Sequence, residues 1–191
     1  MIKSSKIIIV SGTSGSGKTT LVNSLIQHDE LNLVFSVSAC SRARRPLEKN
    51  GSQYIFLSLK EFKNKIKMGE FLEWEEVYPN HFYGTLKSSC DKLLIKGHNI
   101  LFDVDIKGAL SIKNYFKNQA RSIFVQPSDI EIAKERLINR NTESAENLTH
   151  RIKKMKQEVI LGKQLDYQLI NDDLDCAKSS IYNYVKSFLL L

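Results

Sequence analysis

The chain has 191 residues, of which 42% are hydrophobic and 26% charged, and its formal net charge at pH 7 is +7. This length and composition predict one globular domain, and no apolar run approaches the ~20 residues that a membrane-spanning helix needs. The first residues lack the apolar core of a signal peptide. Cys40, Cys90 and Cys176 are odd in number and lack metal-ligand spacing, which is typical of reduced thiols. We therefore expect a cytoplasmic protein.

The positive charge has two interpretations. One is a nucleic-acid-binding surface, and the other is a solvated lysine-rich surface together with arginines that bind phosphates. The lysines are spread along the chain rather than clustered. This distribution favours the second interpretation, so no nucleic-acid partner is expected.

A phosphate-binding motif follows the first apolar segment. Residues 7–10 are β-branched and predict a buried strand. The next residues fit the pattern G-x-x-x-x-G-K-[ST]: Gly12, Thr13, Ser14, Gly15, Ser16, Gly17, Lys18 and Thr19. Glycines let backbone N–H groups approach a phosphate, Lys18 supplies a charge for the β- and γ-phosphates, and Thr19 supplies a hydroxyl for Mg²⁺. The motif predicts a nucleoside-triphosphate site.

The rest of the chain alternates predicted helices and strands. Further strands are predicted over residues 33–38, 54–57, 71–77, 99–104, 121–125 and 167–171. Helices are predicted over residues 18–28, 58–67, 86–96, 108–115, 128–139, 150–163 and 175–191. Capping boxes at Ser58–Glu61 and Ser128–Glu131 mark two helix starts. Residues 78–84 are predicted as a loop, and the polar stretch 141–149 as a mobile lid.

This alternation predicts an α/β fold with a parallel sheet that is covered by helices on both faces. The less regular stretch 42–83 is predicted to form a small lobe. In such folds ligands bind beyond the carboxyl ends of the strands. We therefore expect Gly12–Thr19, Ser38, Asp103 and Asp105 to surround one crevice.

Polar residues in the predicted lobe indicate a second substrate that carries its own phosphate. Arg42 and Arg45 are guanidinium forks suited to a phosphate monoester, and Tyr54 and Tyr83 can donate phenolic hydroxyls.

Two acidic residues, Glu73 and Asp105, indicate which base the second substrate carries. A carboxylate accepts hydrogen bonds from the two adjacent donors on the Watson–Crick edge of guanine, whereas adenine presents an acceptor there. These acids therefore favour guanine. Taken singly, Glu73 is also compatible with a surface acid and Asp105 with a helix cap.

The sequence resembles guanylate kinase, the enzyme that phosphorylates GMP from ATP. The resemblance extends from the phosphate motif to the last helix. The matching motifs are residues 12–19, 36–38 with Arg42 and Arg45, Gly51 with Tyr54, 71–74, 82–85, 103–108, 121–124, Arg136 with Arg140 and Arg151, and 171–173.

The resemblance implies a P-loop NTPase fold with a parallel five-stranded core sheet, a GMP-binding lobe and a lid. The core would comprise residues 1–37, 86–139 and 164–191, the lobe 38–85 and the lid 140–163. ATP, bound with Mg²⁺, and GMP or dGMP would be the substrates. The oligomeric state does not follow from the sequence.

Residue roles are implied by the same resemblance. The implied guanine contacts are Ser38, Glu73, Thr85 and Asp105. The implied ligands of the GMP phosphate are Arg42, Arg45, Tyr54 and Tyr83. Asp103 would lie near the phosphates and the metal, and Asn171 near the adenine. The implied catalytic residues are Lys18, Arg136, Arg140 and Arg151, with the three arginines closing over the ATP phosphates.

The chain departs from the family pattern at four places, one of which is Leu47, where a glycine usually precedes the acid at Glu48. Arg44 takes the place of a proline between Arg42 and Arg45, and Pro46 follows the pair. The segment 77–83 is one residue longer than usual, so Glu75 and Glu76 are rivals to Glu73 for the base contact. Asn141 takes the place of a common lid glycine.

Two other functions remain open on the sequence alone. One is a noncatalytic guanylate-kinase-like interaction module, although such modules typically lack an intact phosphate loop. The other is a P-loop kinase that acts on a different monophosphate.

Overall fold

The computed structural model describes residues 5–129, 131–133, 136 and 145–190. The strands in these residues are β1 (Ile7–Gly12), β2 (Leu33–Phe35), β3 (Ala39–Cys40), β4 (Ile55–Phe56), β5 (Phe71–Tyr78), β6 (His81–Leu86), β7 (Asn99–Asp103), β8 (Ala120–Gln126) and β9 (Tyr167–Ile170). The α-helices are α1 (Lys18–Ile26), α2 (Leu59–Lys67), α3 (Lys87–Ile95), α4 (Ile106–Phe116), α5 (Ala145–Gly162) and α6 (Leu174–Leu190). Short 3₁₀ helices cover Asp29–Leu31 and Lys117–Gln119.

Over the described residues, the core is a five-stranded sheet in the order β2-β7-β1-β8-β9, and every neighbouring pair is parallel. Successive side chains of a strand point to opposite faces. Accordingly, Ile8 and Val10 pack with α1 and α6, whereas Ile7 and Ile9 pack with α3 and α4. The predicted parallel sheet with helices on both faces is confirmed.

A second sheet follows β2 and carries the predicted lobe. Its four strands in the described chain are ordered β4-β3-β6-β5, with β3 parallel to β4 and the other pairs antiparallel. Helix α2 covers it through Phe62, which is fully buried. The predicted capping box is present, because Ser58 accepts from Glu61 N and the Glu61 carboxylate accepts from Ser58 N.

The prediction of a loop over residues 78–84 is wrong, because strand β6 begins at His81. Asn80 adopts a left-handed backbone conformation with φ of 64°, which allows the chain to reverse within Pro79–Asn80. The residues after the turn then pair with β5, and Phe82 is buried beneath them. Asn80, which indicated a longer loop, therefore belongs to a tight hairpin turn, and Gly84 belongs to strand β6.

Helix α5 begins at Ala145, five residues before the predicted start at residue 150. Residues 145–149 of the predicted lid are therefore helical despite their polarity. Residues 141–144 and 137–140, with Asn141 and Arg140, lie outside the described residues. Ile130 of the second predicted capping box also lies outside them, although Asp129 Oδ1 accepts from Glu131 N at 3.0 Å.

Within the part of the chain that is described, no helix is both long enough and apolar enough to cross a membrane.

Candidate active site

The predicted phosphate loop connects β1 to α1 and surrounds a cavity of about 380 Å³. All eight motif residues, Gly12–Thr19, line this cavity. Gly15 and Gly17 have φ near +80°, a conformation that side chains disfavour, and this is why glycines stand there. The buried hydroxyls of Thr13 and Ser16 have no hydrogen-bond partner among the described residues. Such orphaned polar groups fit a site that receives a polar ligand.

Lys18 lies at the first turn of α1, where the helix dipole favours an anion. Its ammonium forms an ion pair with Asp103 at the carboxyl end of β7. Burial lowers the pKa of Lys18 to about 8, whereas the carboxylates of Asp105 and Glu158 raise it. At pH 7 the side chain is therefore still mostly protonated.

Asn171, the residue after β9, holds the phosphate loop in place. Its Nδ2 donates to Ser16 O at 2.6 Å, and its backbone N–H donates to Gln126 O at 2.9 Å. A Cβ on Gly17 would collide with this Asn171 amide, so the glycine also makes room for the contact.

Arg136 lies on the same side of the phosphate loop as Asn171. It donates to the carbonyls of Asn171 and Asp172 at 2.7 and 3.1 Å. A cavity of about 360 Å³ opens beside these residues and Gly17. Arg136 and Asn171, which were predicted at different parts of ATP, are thus neighbours in the structure.

The predicted base contacts meet where the lobe faces the core. Glu73 on β5 is paired with Thr85 on β6, and Thr85 Oγ1 donates to Glu73 Oε1 at 2.6 Å. Asp105 caps α4 by accepting from Gly108 N at 2.8 Å. A Cβ on Gly108 would lie 3.2 Å from Asp105 Oδ1 and 3.3 Å from Glu73 Oε2, which places both carboxyl groups beside the start of α4. Asp105 is therefore a helix cap that also lines the phosphate cavity.

The electrostatics of Glu73 distinguish it from its rivals. Burial raises the pKa of Glu73 to about 7, the hydrogen bond from Thr85 lowers it, and the charges of Asp105 and Glu75 raise it. Glu75 lies on the same face of β5, and burial followed by Asp105 raises its pKa as well. Glu76 is exposed and accepts from Asn80 N at 2.8 Å, so it belongs to the hairpin turn. Glu75 and Glu76 line a cavity of about 450 Å³, whereas Glu73 lies beside Thr85 and the start of α4.

Ser38 lies half-buried between β2 and β3, where its carbonyl accepts from Ile55 N at 2.9 Å. This bond ties the segment that enters the lobe to β4.

The predicted phosphate site of the lobe is built around Arg42. Its guanidinium donates to both carboxylate oxygens of Glu48, at 2.7 and 2.5 Å, and its Nε donates to Tyr83 Oη at 3.2 Å. The guanidinium carbon lies 5.0 Å from the centre of the Tyr54 ring. Arg42, Tyr54 and Tyr83 are thus brought together, whereas the Arg45 side chain is exposed.

Glu48, for which the sequence predicts no role, organises this cluster. Besides the Arg42 fork, it accepts from Arg45 N at 2.8 Å. The hydrogen bonds from Arg42, and to a lesser extent the one from Arg45 N, lower the pKa of Glu48 to about 2. The signal in the sequence was an acid three residues after a run of arginines. Its partner was not evident without the loop geometry.

Comparisons with known proteins agree with these features. A family model described as guanylate kinase matches residues 4–188. The chain belongs to the guanylate kinase family. Guanylate kinase of Bacteroides fragilis is 46% identical over 184 residues, covering 96% of this chain and 90% of that protein. Guanylate kinase of Porphyromonas gingivalis is 43% identical over 184 residues, covering 96% of this chain and 98% of that protein.

A solved guanylate kinase structure from Anaplasma phagocytophilum matches with a TM-score of 0.74 at 26% identity, covering 99% of this chain and 88% of that chain. The resemblance to the guanylate kinase family and the P-loop NTPase fold are thereby confirmed. The individual residue roles stay predictions. Arg140 and the Arg151 side chain lie outside the described residues, although the Arg151 backbone belongs to α5.

One prediction for this guanylate kinase family member concerns the Arg42 fork. Arg42→Lys keeps the charge but loses the planar fork, so we expect the KM for GMP to rise about tenfold or more while the KM for MgATP is unchanged. Arg44→Lys is the matched control, because Arg44 is exposed and should tolerate the change. Steady-state kinetics with each substrate varied in turn measures both. Equal effects of the two variants would contradict a special role of Arg42.

Proposed function

We propose that this protein transfers the γ-phosphoryl group of ATP to GMP, and also to dGMP, forming ADP and the nucleoside diphosphate. Membership of the guanylate kinase family supports this reaction. The structural observation that carries it is the partly buried Glu73–Thr85 pair beside Asp105, together with an intact phosphate loop. A triphosphate site and an acidic base pocket are what a kinase for a guanine nucleotide needs.

The proposed mechanism is an in-line attack of a GMP phosphate oxygen on the γ-phosphorus of ATP. A phosphate monoester has a second pKa of ~6, so the acceptor is already a nucleophile at pH 7 and no general base is required. Catalysis then depends on positioning and on stabilising negative charge. We assign charge stabilisation to Lys18, Arg136, Arg140 and Arg151, of which Lys18 lines the phosphate cavity.

The residues at the loop also fit Mg²⁺. Mg²⁺ prefers oxygen ligands and in kinases is usually held by one or two protein groups together with substrate phosphates. The Thr19 hydroxyl lines the phosphate cavity, and the Asp103 carboxylate lies at its edge as the partner of Lys18. We propose that Thr19 holds the ion directly and that Asp103 lies near it. When bound with ATP, Mg²⁺ would offset charge on the phosphates.

Two movable parts are proposed to close over the substrates. The GMP-binding lobe comprises residues 38–85 and the lid residues 140–163, with the remaining residues as the core. Closure would exclude water and so limit wasteful hydrolysis of ATP. Asn171 and Arg136 border the cavity next to the loop, which supports placing the adenine there.

We also propose that the protein acts in the cytoplasm. The thiols of Cys40, Cys90 and Cys176 are unpaired, as expected for a reducing compartment.

The deciding experiment measures ADP formation from MgATP with GMP, dGMP, AMP, UMP or no acceptor. We expect turnover with GMP and dGMP alone. Turnover with another monophosphate would keep the kinase activity but contradict the guanine assignment of Glu73 and Asp105. A folded protein with no turnover on any acceptor would instead favour a noncatalytic interaction module.

A further inference from the structure

Glu158 on α5 is a buried acid that the proposed mechanism does not use. Only 9% of the residue is exposed. Its Oε2 atom is buried and has no hydrogen-bond partner among the described residues. Burying a carboxylate without full compensation is unfavourable, and burial accordingly raises the pKa of Glu158. An acid kept in such a place indicates a function.

The position of Glu158 connects two cavities of the described structure. It lines the phosphate cavity of about 380 Å³. It also lines a neighbouring cavity of about 450 Å³, which extends towards Glu75 on the lobe. Asp105 and Lys154 are the other residues that border both spaces. Glu158 therefore stands in the wall between the phosphate loop and the side of the lobe.

The Glu158 carboxyl lies near the carboxylate of Asp105 and near several groups that a phosphate would use. The backbone N–H of Ser14 hydrogen-bonds to it, and Lys18 is close enough to interact with its charge. Lys154 Nζ lies 4.0 Å from its Oε1 atom. Ser14 N–H and Lys18 belong to the motif whose donors surround nucleotide phosphates. A carboxylate is thus placed among the donors of an anion site.

We propose that Glu158 is an internal anion that occupies part of the phosphate site in the nucleotide-free protein and that the triphosphate displaces on binding. This inference rests on the phosphate loop assigned under the proposed function. Displacement frees Ser14 N–H and Lys18 for the nucleotide.

The sign of the expected effect follows from charge. A carboxylate next to the bound phosphates repels them, and its removal by Glu158→Gln is expected to tighten phosphate binding about tenfold at this partly buried site. An opposing effect comes from Lys18, whose pKa Glu158 raises. This effect is small at pH 7, because the pKa of Lys18 is already about 8 and bound phosphates favour its charged form.

Calorimetry on the full chain at pH 7 tests the displacement. The probes are tripolyphosphate, MgATP and adenosine, and the proteins are the wild type, Glu158→Gln and Asp91→Asn. The last variant removes one negative charge from an exposed position on α3. We expect Glu158→Gln to bind tripolyphosphate about tenfold more tightly than the wild type does, with adenosine unchanged and Asp91→Asn equal to the wild type.

An unchanged or weaker affinity of Glu158→Gln for tripolyphosphate would overturn the inference while leaving the phosphate site intact. A wild type that binds neither tripolyphosphate nor MgATP would instead contradict the phosphate site itself, and with it the proposed function. Should Glu158→Gln fail to fold, Glu158→Asp replaces it. This variant retracts the carboxyl by one methylene from Ser14 and is expected to tighten binding in the same direction.

Discussion

Replacing Lys18 with alanine is expected to lower kcat by a factor of about 10² to 10³ or more, because a charge aimed at the transferring phosphoryl group is lost. The ammonium lines the phosphate cavity and pairs with Asp103 at the end of β7. Its removal also leaves the Asp103 carboxylate facing the phosphates without a neutralising partner. Both effects raise the free energy of a transition state in which negative charge is already concentrated.

The measurement is ADP formation at saturating MgATP and GMP, together with thermal unfolding. The variant should fold normally, because burial disfavours the charged form of Lys18, as its lowered pKa shows, and alanine removes this cost. Lys92→Ala, at an exposed position of α3, is the control and should retain full turnover. A Lys18→Ala enzyme with near-normal kcat would exclude Lys18 from catalysis.

The parts of the site that sequence predicted well are those whose contacts are local. In the phosphate loop the glycines, Lys18 and Thr19 lie within eight consecutive residues, and the strand before them and the helix after them fix the loop's shape. The capping box at Ser58 is likewise complete within four residues. In such motifs the spacing alone determines which atoms meet.

Contacts between distant segments could not be derived in this way. Nothing in the sequence near Glu158 indicates that its carboxyl meets Ser14 N–H, since that contact depends on how α5 crosses the end of β1. The pairing of Glu48 with Arg42 depends on the conformation of the loop between them, which cannot be read from the run of arginines in the sequence. The hairpin at Asn80 was missed because a left-handed asparagine can serve either a tight turn or a longer loop.

The choice among Glu73, Glu75 and Glu76 shows where strand geometry adds to sequence. Alternation along β5 places Glu76 on the opposite face from the other two acids. Pairing then sets Glu73 opposite Thr85, which donates to its carboxylate. Glu75 pairs with Tyr83 instead and, like Glu76, lines the cavity of about 450 Å³. We therefore keep Glu73 as the predicted base contact, and Glu75 is a neighbour whose charge raises the pKa of Glu73.

Glu73→Gln is therefore expected to lower kcat/KM for GMP by about a hundredfold or more, because an amide cannot accept both guanine donors and leaves one group unpaired. The affinity for MgATP should be unchanged. Glu75→Gln is the matched control on the same face of β5 and should have a much smaller effect. A larger loss in Glu75→Gln than in Glu73→Gln would transfer the base contact to Glu75.

The raised pKa of Glu73 gives this variant a second signature. Because guanine requires the carboxylate, wild-type affinity should fall about tenfold per pH unit below the pKa of about 7, whereas Glu73→Gln should show no such dependence. Guanosine is the probe, since its lack of a phosphate removes the titration of the ligand near pH 6. Calorimetry between pH 5.5 and 8 follows the affinity, and a wild-type profile that is flat over this range would contradict the assignment.

Stability should change in the opposite direction to activity. A carboxyl whose pKa is higher in the folded than in the unfolded protein lowers the free energy of unfolding as pH rises from about 4.5 to 7. Glutamine removes this cost, so Glu73→Gln should unfold at a higher temperature than the wild type at pH 8. Near pH 4 both side chains are neutral and the difference should vanish. A variant that lost GMP turnover while also losing stability at pH 8 would have a folding defect, whereas loss of turnover with a gain in stability identifies a carboxylate that is retained for guanine.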